Sequence, residues 1–167
     1  KGLNFDARIM VLLGNNVVIK SPGVDARLEG KVLLTGKSIE KINGEGQIKI
    51  VRGQYSGYGT KLDVTRGNIV FNGKPVELAS LDIMALRTIN TGRFNEVKAG
   101  VIITGTPQSP LINLYSEPSM SEADVLSYIV LGRPIRVEGE TSQSALLLRS
   151  ASAFLSGGKT GSLQSRL

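Results

Sequence analysis

Val24, Ala26, Leu28, Gly30 and Val32 alternate with Asp25, Arg27, Glu29 and Lys31. Successive side chains of a strand point to opposite faces, so this period of two predicts a strand with one dry and one wet face. The same alternation recurs at Leu3, Phe5, Ala7 and Ile9, at Ile48 and Ile50, and at Leu62 and Val64. It returns at Leu81, Ile83 and Ala85 and at Val97, Ala99, Val101 and Ile103. A mostly β, antiparallel fold with one aliphatic face follows. Its inward row is expected to hold Val24, Ala26, Leu28, Val32 and Leu34, with Ile48, Ile50, Leu62, Val64, Ile83, Val101 and Ile103 facing the same apolar space. Periodicity does not separate a sealed sandwich or barrel core from an open groove, because both are built from the same rows.

Turn signals punctuate these runs at Asn15-Asn16, Ser21-Pro22-Gly23, Asn43-Gly44, Arg66-Gly67-Asn68 and Asn72-Gly73, the last of hairpin type. Glycines inside the runs, at Gly30, Gly46 and Gly100, predict bends or bulges in a strongly curved sheet. Past Pro118 the pattern changes. Ser121 can cap a helix whose first turn carries Glu122 and Asp124, whose apolar side holds Val125, Leu126, Ile129 and Val130, and whose stop is Gly132 with Pro134. A second helix is expected over 142–156, with Leu147, Leu148, Ala151, Phe154 and Leu155 as its stripe. The chain thus divides into a curved β region (1–118), a helical segment packed on or closing it (119–158) and a flexible tail (159–167).

Composition narrows the chemistry. Of 167 residues 41% are hydrophobic, enough for one buried core, and none is Cys or His. That removes disulfides, structural zinc, iron–sulfur clusters and imidazole-based nucleophilic catalysis. The chain opens on Lys1 and not Met, which reads as a piece of something longer, and its apolar runs are far shorter than the roughly 20 residues of a membrane-spanning helix. A net charge of +6 raises nucleic-acid binding, but cations alternate with acids along the strands, and four Tyr, four Phe and no Trp offer little for base stacking. No nucleic-acid partner is expected.

Two short motifs invite an enzymatic reading. Thr35-Gly36-Lys37-Ser38 ends like a phosphate-binding loop, yet the place of its first glycine is taken by Lys31 and too few residues follow for the helix that must hold the phosphates. Ser38-Ile39-Glu40-Lys41 and Lys159-Thr160-Gly161 match parts of the penicillin-recognising enzymes, but the first falls among strands and not at a helix start. Neither has the context its chemistry needs. No catalytic residue, cofactor or metal is expected.

Residues 81–87, 97–107 and above all 110–134, with Leu114-Tyr115-Ser116-Glu117-Pro118 and Leu131-Gly132-Arg133-Pro134, resemble the C-terminal domain of the TamB family of envelope proteins. Residues 23–36 and 57–62 resemble it more loosely. The resemblance implies a Gram-negative protein anchored in the inner membrane and crossing the periplasm as a long, hydrophobically lined β-structure. It implies a taco-like or half-open barrel, with the twelve inward residues lining a groove that conducts phospholipid acyl chains between the membranes. The family partner is the outer-membrane barrel TamA, and the family serves outer-membrane protein assembly and autotransporter secretion without catalysis. Unfolded strands of outer-membrane clients, received by strand addition, are the alternative cargo.

Overall fold

In a computed structural model of the chain the structure describes residues 6–38, 40–92 and 95–134. Seven strands follow in order: β1 (Ala7–Ser21), β2 (Val24–Ser38), β3 (Lys41–Gly57), β4 (Thr60–Pro75), β5 (Ser80–Asn90), β6 (Glu96–Gly105) and β7 (Pro110–Glu117). Each pairs antiparallel with the next, giving a single meander. β1 and β7 do not pair, so the sheet is open and not a closed barrel. A 3-10 turn, Val76–Leu78, joins β4 to β5, and one helix, α1 (Glu122–Leu131), follows β7. The expected helix over 142–156 and the tail lie outside the described residues.

Several expected turns are bulges. Only Pro22-Gly23 among them closes a hairpin, with Ser21 opposite Val24 and Gly23 at φ 79°. β1 runs straight through Asn15-Asn16, where its register shifts between Leu13 and Val17. β3 runs through Asn43-Gly44 and β4 through Arg66-Gly67-Asn68 and Asn72-Gly73, with register shifts at or beside all three. Gly and Asn supply the backbone freedom that turns and bulges both need, so local composition cannot choose between them. The β3–β4 hairpin turns instead at Tyr58-Gly59, both at positive φ. Gly30 and Gly46 sit at φ 139° and 135°, and a Cβ on either would lie 2.2 Å from a carbonyl oxygen of the neighbouring strand. The β2–β3 pair therefore requires glycine at both.

Ser121 caps α1 as its sequence predicts: its Oγ accepts from the Asp124 backbone N–H at 3.2 Å and its hydroxyl donates to the Asp124 carboxylate at 2.7 Å. Gly132, left-handed at φ 71°, closes the other end. Ser121→Ala is expected to lower stability by about 1 kcal/mol, read from the midpoint of chemical denaturation.

Helix α1 packs on β4, β5, β6 and β7, and the core lies beneath it. Leu62, Ala85, Ala99 and Val101 from the sheet meet Val125, Ile129 and Val130 from the helix.

Candidate functional site

Directly opposed residues of an antiparallel pair share a face, so the register assigns sides without reference to side-chain pattern. Val17, Leu28 and Ile50 lie across β1–β3, Val11, Val32 and Gly46 likewise, and Leu13, Gly30, Ile48 and Ile69 continue into β4. Val24, Tyr55 and Leu62 form another row. Val64, Ala85, Val101 and Leu114 cross β4–β7, beside Ile83, Ile103 and Ile112. All twelve inward residues stand on one face, and the register adds Ile9, Val11, Leu13, Val17 and Ile19 of β1. Ile50 bridges the two halves by lying across Gly67, where a Cβ would sit 2.6 Å from its own.

The face is unevenly covered. Ala26, Val32, Leu62 and Val101 are buried, Leu28, Leu34, Ile48, Ile50, Val64, Ile83 and Ile103 are half-buried, and Val24 is exposed. Where α1 lies over β4–β7, Ala99 is fully buried and Val101 is 5% exposed; on β2, away from that packing, Ala26 and Val32 are buried as well, while Leu28, Leu34, Ile48 and Ile50 keep part of their aliphatic surface accessible.

A polar contact that the alternation did not reveal fixes the C-terminal end of α1. Arg87, on the inward row of β5, donates from Nη1 to the carbonyls of Ile129 at 3.0 Å and Val130 at 3.3 Å. The Thr60 hydroxyl also donates to the Ile129 carbonyl. These carbonyls lie in the last turn of the helix, where partial negative charge gathers, so a guanidinium there satisfies both hydrogen bonds and dipole. Ser127, fully buried, donates to the Arg133 carbonyl at 2.5 Å. In the sequence Arg87 stands out as a charged residue two places after Ala85 in an otherwise apolar row, which marks the residue but not its partner. Beside it, a depression of about 280 Å3 is lined by Gly59, Lys61, Asp63, Arg87 and Thr88. Burial, with Tyr58 nearby, pushes the Tyr55 phenol above its ordinary range.

On the opposite face of β2, Asp25, Arg27 and Lys31 are exposed and Glu29 is half-buried, with Arg27 and Glu29 3.7 Å apart. Gly36-Lys37-Ser38 ends β2 at its hairpin with β3, a setting without the helix a phosphate loop requires. Among the described residues no three of His, Cys, Asp and Glu gather where they could hold a metal ion. No described helix is long and apolar enough to cross a membrane.

The family described as the TamB C-terminal domain matches residues 2–167. The chain belongs to that family. It is also similar to the translocation and assembly module subunit TamB of Haemophilus influenzae, with 28% identity over 147 residues. That match covers 86% of this chain but only 11% of the Haemophilus protein. The TamB-family domain described here therefore corresponds to a small part of its relative's length.

Proposed function

We propose that the chain is a periplasmic, non-catalytic part of the outer-membrane biogenesis machinery of a Gram-negative bacterium, belonging to a protein anchored in the inner membrane. Its aliphatic sheet face binds phospholipid acyl chains and passes them between the two membranes. It works with the outer-membrane barrel TamA in assembly and secretion of outer-membrane proteins, a reading supported by the name of its Haemophilus relative only as far as a subunit of a translocation and assembly module. The observation that supports this reading is the aliphatic surface left accessible on the inward rows of β1–β3, at Ile9, Ile19 and Val24 and in part at Leu28, Leu34, Ile48 and Ile50, beside a helix that packs on β4–β7. In this reading the sheet curves into a taco-like groove lined by the twelve inward residues, and the helical segment after Pro118 closes one side.

Energetics suit conduction. Burial of apolar surface yields about 25 cal/mol per Å2, so a short acyl segment gains a few kcal/mol on such a face. That solvates the chain without trapping it. Purified protein is expected to carry phospholipid detectable by mass spectrometry, and a photo-crosslinking residue at Leu28 or Ile48 is expected to capture lipid. Lipid-free protein with no crosslink at either position sinks the reading.

A second reading rests on β1, which among the described strands is unpaired along one edge and exposes Ile9 and Ile19. An extended client segment would add there by backbone pairing. Slowed hydrogen exchange along β1 in the presence of client peptide, with no lipid recovered, would favour it.

A further inference from the structure

The outer face of β1–β3 carries a pattern that acyl-chain binding leaves unused. Register puts Met10 opposite Leu33, Leu12 opposite Lys31 and Val18 opposite Arg27, all on the face turned away from the inward rows. Leu12 is 72% exposed, Met10 54% and Val18 48%. The strand is thus apolar on both sides, where a half-buried strand would be polar on one. Around these residues the same face bears Arg8, Lys20, Arg27, Lys31, Lys49 and Arg52 against Asp25, Glu29 and Glu45.

The cations outnumber the acids. Register sets Lys20 opposite Asp25 and Lys49 opposite Glu29, and Arg27 reaches Glu29, but among the described residues Arg8, Lys20, Lys31, Lys49 and Arg52 form no ion pair. Arg27 and Arg52 stand directly opposite each other across β2 and β3, a repulsion that Glu29, 3.7 Å from Arg27, offsets only in part. The outer face of β4–β7 differs: Arg66 meets Asp82 at 2.9 Å, and Lys98 lies 3.9 Å from both Glu96 and Glu117.

We propose that the outer face of β1–β3 rests on an anionic bilayer surface, its aliphatic side chains entering the headgroup boundary and its cations meeting lipid phosphates. Charge selects an anionic partner. A bilayer suits the rest, since it accepts Met, Leu and Val in any arrangement, whereas a protein interface concentrates aromatic anchors in matching pockets. Register places no Phe, Tyr or Trp on this face of β1–β3. This contact lies on the side opposite the acyl-chain surface and does not depend on it.

The test is flotation of the chain with phosphatidylcholine vesicles, with or without about one third phosphatidylglycerol, at low salt and in about 0.5 M NaCl. Binding to the anionic vesicles is expected to exceed that to the neutral ones at least tenfold, on the order of what a few cations supply, and to fall at high salt. Replacing Lys31, Lys49 and Arg52 together by Gln is expected to lower anionic binding by about tenfold or more. Leu12→Ser is expected to weaken it at either salt, and Lys61→Glu, outside the patch, to leave it largely intact. Thermal melts establish that each variant is folded. Absence of binding, equal binding to both vesicle types, or retention by the triple Gln variant overturns the proposal. The first result, combined with capture of a purified acidic protein, would assign the face to a protein partner. Lipid capture at Ile48 reports separately on the inward face, so either proposal can fail alone.

Discussion

Arg87→Met is expected to lower the stability of the domain by about 2–3 kcal/mol, more than any other single polar replacement described here. Met keeps most of the side-chain volume, so the loss isolates the guanidinium. Without it the Val130 carbonyl loses its Arg87 donor, and the Ile129 carbonyl retains only Thr60 of the two donors described. Hydrogen bonds to charged groups contribute about 1.5–3 kcal/mol, and a cation at a helix C-terminus adds a few tenths to 1. Arg87→Lys keeps the charge but replaces a planar fork with a single ammonium, so an intermediate loss is expected. Urea denaturation followed by circular dichroism measures both. A midpoint unchanged in Arg87→Met would mean that α1 is held by apolar packing alone.

Arg87 also marks the limit of what the sequence reveals. Alternation from Val24 to Leu34 was readable because each residue's side is set by the pleat, a local property. The same holds for the cap at Ser121 and the stop at Gly132, which depend on neighbours three or four residues away. Arg87 breaks its row for a partner 42 residues later, and no local pattern announces such a contact. Asn15-Asn16 and Asn72-Gly73 mislead for a related reason. Their backbone freedom is real, but whether it closes a hairpin or forms a bulge is decided by pairing with residues on the next strand. Register likewise reveals that β1 belongs to the inward face, which its nearly continuous apolar runs around Met10 and Val18 obscure.

The contrast between Val101 and Leu28 bears most directly on how the inward face is used. Both occupy the same face, yet Val101 is 5% exposed beneath α1, while Leu28 is half-buried on β2, two strands from the nearest strand the helix covers. Val101→Asp places an unpaired carboxylate among Ala85, Val125 and Ile129. Burying such a charge costs several kcal/mol against a total stability of about 5–15, so loss of the cooperative melt is expected. At Leu28 the outcome depends on what lies over β1–β3. If that face is an accessible surface for acyl chains, the guanidinium of Leu28→Arg stays hydrated. The domain then melts within a few degrees of the parent, while lipid capture by a crosslinker at Ile48 falls severalfold. Ile103→Asp, half-buried at the margin of the helix-covered core, is expected to fall between the two. If Leu28→Arg unfolds the domain as Val101→Asp does, the inward face is sealed throughout. If it folds and Ile48 still captures lipid as before, acyl chains travel elsewhere. Only a folded Leu28→Arg with impaired capture agrees with a sheet that is core at one end and conduit at the other.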